Sequence, residues 1–135
     1  MKNEEKTTAS VAVYGTLMEG EANAWLIPEG TQRTRAKLTG TLIDTGHGYP
    51  AFVPAGETAI EAEIVEVDER TLFRLDILEG VPHLYRRQRV KAELEGGAVA
   101  TVWGYVYARN APCGARLIKG GDWRAWRAGK APGRS

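Results

Sequence analysis

The feature that most constrains the fold is a pair of alternating segments joined by two glycines. Within the segment from Tyr85 to Leu94, Val90, Ala92 and Leu94 alternate with charged residues, as apolar residues do on a half-buried strand. Gly96 and Gly97 follow, and a glycine pair favours the tight turn of a β-hairpin. The segment from Val99 to Tyr107 returns with large residues on both faces, which is typical of a central strand. The chain is therefore predicted to contain an antiparallel hairpin.

Alternation and β-branched content predict further strands along the chain. They are expected at Ser10 to Tyr14, Arg33 to Thr45, Tyr49 to Val53 and Thr58 to Asp68. The apolar phase of the last segment slips at Val65, which indicates a bulge or a change of the buried face.

Helices are expected at three places. Asp68 to Leu78 is the strongest, because Asp68 suits the N-cap and Gly80 suits the end. A helical turn is expected from Ala22 to Ile27, and a further short helix near Gly114. The pattern predicts an α+β fold: a curved, mixed, mostly antiparallel sheet that closes into a small barrel with one or two flanking helices.

The chain length indicates one domain, and the net charge indicates no strong attraction to a charged macromolecule or membrane. With 135 residues, the chain suits a single domain, placed at residues 10–127 with flexible ends at 1–9 and 128–135. The formal net charge of +1 gives no whole-protein field for steering nucleic acid or membranes. The lone Cys113 forms no internal disulfide. No apolar run is long enough to span a membrane, so a cytoplasmic location is expected.

One carboxyl group departs from the helical pattern. Leu72, Leu75 and Leu78 mark the expected inner face of the helix, and Glu79 falls between the first two. Burial and the negative end of the helix dipole both disfavour a charged carboxylate, and Asp76 adds repulsion if it points inward. A carboxyl of raised pKa suits general acid–base chemistry. The alternative is a structural ion pair between Glu79 and one of the arginines that follow, Arg86 or Arg87.

The first predicted strand ends in Tyr14-Gly15-Thr16-Leu17. A glycine allows close backbone approach, and main-chain N–H groups at a strand end can bind a carboxylate or an oxyanion. An ordinary exit from a strand, with Tyr14 in the core, explains the same residues without any ligand.

Taken together, four motifs resemble the γ-glutamylcyclotransferase-like family, most closely its γ-glutamylamine cyclotransferase branch and short bacterial relatives. They are Y-G-T-L at 14–17, Y-P at 49–50, L-D-x-L-E-G at 75–80 and L-Y-R-R at 84–87. The terminal G-G-D-W at 120–123 is also similar, so the resemblance covers residues 11–126.

The resemblance implies a fold, a reaction and a site. The fold is a mixed sheet curled into a small barrel. The reaction releases an amine or amino acid from a small γ-glutamyl substrate and leaves 5-oxoproline, without a metal or other cofactor. Glu79 is implied as the catalytic acid and base. The implied substrate-binding residues are Tyr14, Gly15, Thr16, Leu17 and Tyr85.

Other features and a second function class are weighed against this site. His47 and His83 lack metal-ligand spacing, although His83 stands close enough in sequence to line a pocket. Trp123 and Trp126 are expected to pack the C-terminus over the sheet, with closure of one side of the pocket as an alternative. A non-catalytic module that binds small carboxylates remains an open alternative to an enzyme, and neither the leaving group nor the oligomeric state is readable.

Overall fold

The computed structural model describes residues 8–129. Most of the two ends that were predicted to be flexible, 1–9 and 128–135, lies outside this range. The elements are β1 (Thr8–Val13), a 3₁₀ turn (Ala24–Leu26), β2 (Thr34–Asp44), β3 (Pro50–Asp68), α1 (Glu69–Leu78), β4 (Tyr85–Leu94), β5 (Val99–Tyr107), β6 (Arg116–Leu117) and α2 (Trp123–Gly129). None of the helices between Thr8 and Gly129 combines the length and apolar character needed to span a bilayer.

The sheet closes on itself. Its strands follow the order β3-β1-β5-β4-β2-β6, and a further pairing of β2 with β3 joins the first five strands into a ring. Only the pairing of β1 with β5 is parallel; the other pairings among the described strands are antiparallel. This confirms the predicted α+β class with a curved, mixed, mostly antiparallel sheet, and the closed ring is what a small barrel requires.

Two apolar layers lie on the two faces of the ring. The inner layer draws on all five ring strands, and the outer layer includes Leu75 of α1. Along β3, Ile60 and Ile64 belong to the inner layer, whereas Val65 and Val67 belong to the outer one. Because the pairing of β3 with β1 is regular over this stretch, the slip expected at Val65 is a change of the buried face and not a bulge.

The bulge lies instead earlier in β3, and it explains why two separate strands were predicted. Thr58 pairs with Gly40, but Val53 pairs with Thr41, so the residues between Val53 and Thr58 are extra. They include Pro54, which a bulge tolerates because no ladder hydrogen bond is required there. A Cβ on Gly40 would lie 2.3 Å from the Val53 carbonyl oxygen, so this crossing of the chains requires glycine.

The helices match the expectations in part. Asp68 caps α1 by accepting a hydrogen bond from the Thr71 N–H at 2.8 Å, and Gly80 follows the helix with a φ of +65°. The helix expected near Gly114 was wrong. Residues 116–117 form β6 against the end of β2, and α2 starts at Trp123, where the Asp122 carboxylate accepts from the Ala125 N–H at 3.1 Å.

One buried carboxylate connects the loop after β1 to the rest of the fold. Glu63 of β3 is only 5% exposed, and it accepts hydrogen bonds from Arg33 at 2.8 Å, Arg124 at 3.2 Å and the Glu19 N–H at 2.9 Å. Arg33 also donates to the Leu17 carbonyl oxygen at 2.9 Å. The loop is therefore attached to both β3 and α2.

We expect Arg33→Met to destabilise the protein, because it removes one of the two cations that compensate the buried Glu63 carboxylate. The expected loss in the free energy of unfolding is about 3 kcal/mol. The control is Lys37→Met, whose partner Glu61 belongs to a more exposed pair and which should cost less than about 1 kcal/mol. Urea denaturation at pH 7 measures both values, and equal losses would contradict the assigned role of Glu63.

Candidate active site

A small cavity opens where the end of β1, the start of β3 and the end of α1 meet. It has a volume of about 30 Å³ and joins a wider depression of about 200 Å³, with which it shares Thr16, Tyr49, Glu79 and Tyr85. The cavity lining consists of Ala12, Val13, Tyr14, Gly15, Thr16, Leu17, Tyr49, Pro50, Glu79, Tyr85 and Tyr105. The structure thus brings all six residues that the sequence predicted for the site to the wall of one cavity.

The loop after β1 is shaped by its own backbone. The Met18 N–H donates to the Gly15 carbonyl oxygen at 3.0 Å, and the Asn23 N–H donates to that of Thr16 at 2.8 Å. The Asn23 side-chain amide also donates to the Thr16 hydroxyl oxygen at 3.0 Å. A Cβ on Gly15 would lie 2.6 Å from Cγ of Pro50, so only glycine allows the loop to approach β3 this closely.

Glu79 occupies the C-cap of α1. Its backbone N–H donates to the Leu75 carbonyl oxygen at 2.9 Å, which keeps it in helical geometry as the side chain turns to the cavity. Although the residue as a whole is half-buried, burial of the carboxyl, with repulsion from Asp76 as the second cause, raises the pKa of Glu79 to about 7. The ion pair considered from the sequence is not formed, since Arg87 pairs with Asp76 and no arginine between residues 8 and 129 pairs with Glu79.

Tyrosine hydroxyls surround this carboxyl. The Tyr14 hydroxyl donates to the Tyr105 carbonyl oxygen at 2.7 Å, and the Tyr85 hydroxyl donates to that of Pro50. Burial, reinforced by the negative charge of Glu79, raises the pKa values of Tyr14, Tyr49, Tyr85 and Tyr105. These phenols therefore remain protonated near neutral pH, and Glu79 is the group in the cavity wall poised to exchange a proton there.

Five residues of the cavity wall were not predicted as site residues: Ala12, Val13, Tyr49, Pro50 and Tyr105. Tyr49 and Pro50 entered only through the family motif, and the other three only as members of the strands predicted at Ser10 to Tyr14 and Val99 to Tyr107. Tyr105 does pack in the outer layer, but its hydroxyl also donates to Asp76 at 2.8 Å. Trp103, Tyr105 and Tyr107 are spaced two residues apart, which places them on one face of β5. This spacing gives no signal for the cavity beside that face.

Several other expectations are settled by position. Leu78 is 38% exposed instead of lying on an inner face, because the last turn of α1 overhangs the outer depression. His47, His83 and Cys113 are exposed, and His83 does not line the cavity. Trp123 is buried in the inner layer with Trp126 packed against it, as predicted for the C-terminus. These two tryptophans border a separate depression and do not close the cavity.

The raised pKa of Glu79 predicts a pH-dependent difference in stability between the wild type and Glu79→Gln. Between pH about 4.5 and about 7 the unfolded wild type releases the proton of this carboxyl while the folded form retains it, so the wild type loses stability as the pH rises. The glutamine variant has no such loss. Its free energy of unfolding should exceed that of the wild type by up to about 3 kcal/mol above pH 7 and match it near pH 4. Denaturation across this range tests the difference, and a pH-independent difference would contradict a buried carboxyl.

Comparisons with known proteins point to one family. The model of the family described as gamma-glutamyl cyclotransferase, AIG2-like, matches residues 11–125. A gamma-L-glutamyl-butirosin B gamma-glutamyl cyclotransferase from Niallia circulans is 36% identical over 128 residues, which cover 90% of this chain and 79% of that protein. A putative gamma-glutamylcyclotransferase from Methanocaldococcus jannaschii is 43% identical over 126 residues, which cover 87% and 97%.

The fold leads to the same group. The crystal structure of an AIG2-like protein from Mus musculus superimposes with a TM-score of 0.67 and 27% identity, covering 78% of this chain and 80% of that one. Since the family model spans nearly all described residues and the relatives align over most of their own length, this chain belongs to the γ-glutamyl cyclotransferase, AIG2-like family.

Proposed function

We propose that this protein converts a γ-glutamyl substrate into 5-oxoproline and a free amine or amino acid. The observation that carries the proposal is a carboxyl with a pKa of about 7, that of Glu79, in the wall of a cavity formed by the loop at 14–17. Family membership supports the general reaction. The roles assigned below to individual residues, and the cytoplasmic location expected from the sequence, are part of this proposal.

The substrate supplies its own nucleophile. The ionised Glu79 takes a proton from the substrate α-ammonium group, and the free amine attacks the γ-carbonyl carbon to close a five-membered ring. The bond from that carbon to the leaving nitrogen breaks as Glu79 passes the proton to this nitrogen. The second proton that the ring nitrogen must lose also goes to the departing amine, which leaves as an ammonium ion. Because the attack is intramolecular, holding the reactive rotamer supplies much of the rate; effective molarities reach about 10⁵–10⁸ M for well-oriented groups.

In this proposal the loop after β1 binds the γ-glutamyl end of the substrate. In this proposal the N–H groups of Thr16 and Leu17 bind the α-carboxylate or the oxyanion that forms on the carbonyl. Gly15 lets the loop lie against Pro50, and the protonated Tyr14 and Tyr85 form polar walls beside the reacting atoms. No covalent nucleophile enters the sequence of steps.

In this proposal the wider depression binds the leaving group, and the residues that line the depression favour an amine. Beyond the four residues shared with the cavity, it is lined by Ala22, Asn23, Gly48, Leu78 and Leu84. This lining contains no lysine or arginine that would pair with the carboxylate of a leaving amino acid, whereas Glu79 faces the same space. We therefore propose γ-glutamyl amines as substrates ahead of γ-glutamyl amino acids.

The direct test is release of 5-oxoproline from a panel of γ-glutamyl amines and γ-glutamyl dipeptides. We expect turnover by the wild type and a loss of about 100-fold or more in kcat for Glu79→Gln, the usual contribution of a positioned acid or base. Glu69→Gln, in the first turn of the same helix, should retain activity. Full activity of Glu79→Gln would overturn the proposed mechanism. Thermal stabilisation by the panel without any turnover would favour the alternative, a binding module.

Gly15→Ala tests the proposed substrate loop. The added methyl group meets the Pro50 ring at 2.6 Å, so the loop must shift while the sheet below it remains folded. We expect KM to rise and kcat/KM to fall at least about 10-fold, since displaced positioning groups cost large factors in rate. The matched control is Gly120→Ala, whose methyl group would meet nothing within 4 Å. Equal kinetics of the two variants would show that the loop does not hold the substrate.

A further inference from the structure

A second carboxylate lies beside the proposed catalytic one and is fixed in place. Asp76 accepts hydrogen bonds from the Arg87 guanidinium through both oxygens, at 2.9 and 3.2 Å, and from the Tyr105 hydroxyl at 2.8 Å. Arg87 also lies over the ring of Trp103, 4.4 Å from its centre. Two strands, β4 and β5, therefore hold the Asp76 carboxylate in one position.

Asp76 is also the charged neighbour of Glu79. The two residues stand three positions apart on α1, and residues at this spacing have side chains about 5–6 Å apart on one helix face. The neighbouring elements contribute hydroxyl groups to the surroundings of Glu79: Tyr14 after β1, Tyr49 before β3, Tyr85 on β4 and Tyr105 on β5. Arg87 does not pair with Glu79 itself, because its ion pair is with Asp76.

We propose that Asp76 is a positioning residue, whose charge, held by Arg87 and Tyr105, sets the pH at which Glu79 gives up its proton. The inference rests on the proposed function in that Glu79 is taken as the acid and base of the reaction. Without the fixed negative charge Glu79 is a weaker base toward the substrate α-ammonium group. A smaller fraction of Glu79 then holds the proton that the leaving amine must receive. Burial alone still holds the Glu79 pKa above its ordinary value, so Asp76 adjusts a carboxyl that is already desolvated.

The pair of Asp76 and Arg87 predicts opposite effects for two variants. Asp76→Asn removes the repulsive charge and keeps an oxygen that accepts hydrogen bonds, so Glu79 should ionise at lower pH. Arg87→Met removes the cation that offsets this charge, so Glu79 should ionise at higher pH. A purely structural contact has no reason to move the midpoint in opposite directions when its two partners are removed in turn.

Two measurements follow the ionisation of Glu79. The first is the acidic limb of the pH profile of kcat/KM for 5-oxoproline release. The second is the ¹³C NMR titration of the Glu79 carboxyl carbon, assigned by its loss in Glu79→Gln. For Asp76→Asn we expect both midpoints to fall by about 0.5 to 2 pH units, the range for unit charges roughly 6 Å apart in water-like and protein-like dielectrics. For Arg87→Met we expect both to rise.

The matched control is Asp68→Asn, which makes the same change at the other end of the same helix. Asparagine serves as an N-cap as well as aspartate does, so α1 should persist and the midpoint should stay at the wild-type value. Midpoints that stay unchanged in both test variants, or that move in the same direction, would overturn the inference. If Asp76→Asn does not fold, the direction of the shift in Arg87→Met decides.

Failure of this inference is distinguishable from failure of the proposed function. If the wild type releases no 5-oxoproline from any substrate, the function is wrong, and the NMR titration still measures the effect of Asp76 on Glu79. If the wild type turns over but the midpoints do not separate, the function stands and Asp76 has only a structural role.

Discussion

The site depends on keeping one carboxyl group away from water at the end of a helix. Glu79 caps α1 at the end where backbone carbonyls carry partial negative charge, and both burial and Asp76 oppose its ionisation. A glutamate in this position costs the fold stability near neutral pH. The surrounding structure offsets part of this cost. The Glu79 N–H bonds to the Leu75 carbonyl oxygen and closes the helix end. The hydroxyls of Tyr14 and Tyr85 are held by backbone carbonyls, and that of Tyr105 by Asp76.

The closed sheet is what brings these groups together. β1 lies between β3 and β5, so the loop that leaves it meets Pro50 on one side and Tyr105 on the other, with α1 above. The Glu63 network then attaches the loop to β3 and α2 from behind. The C-terminal helix thereby contributes to the geometry of a cavity that it does not line, which is why the fold around the site involves nearly the whole described chain.

Much of this architecture was predictable from local patterns, and the failures have physical reasons. Alternation and the glycine pair gave the β4–β5 hairpin, and Asp68 with Gly80 bounded α1. Pro54 divided β3 in the prediction, because a bulge that accommodates proline depends on the partner strand and leaves no local signal. The start of α2 did carry a local signal, the capping residue Asp122, whose carboxylate accepts from the Ala125 N–H, but the short helix was predicted near Gly114 instead.

In the candidate site, too, some features have a local sequence signal and others depend on residues distant in sequence. Glu79 was identifiable because it interrupts an apolar stripe, and the residues at 14–17 because a family motif marks them; their roles stay proposals. The contacts of Asp76 with Arg87 and Tyr105 join residues that are 11 and 29 positions apart in sequence, so no local pattern could show them. The sequence instead suggested Arg87 as a partner of Glu79, and the structure gives this arginine to Asp76.

The measurement that tests the account most directly is a crystal structure of Glu79→Gln with an intact γ-glutamyl amine bound. The account predicts the substrate α-amine within hydrogen-bond distance of the residue 79 side chain, about 3 Å, with the α-carboxylate or the γ-carbonyl oxygen at the main-chain N–H groups of Thr16 and Leu17. The leaving group should lie in the depression beside Leu78 and Leu84. A substrate bound elsewhere, or bound in the cavity with its α-amine directed away from residue 79, would contradict the account.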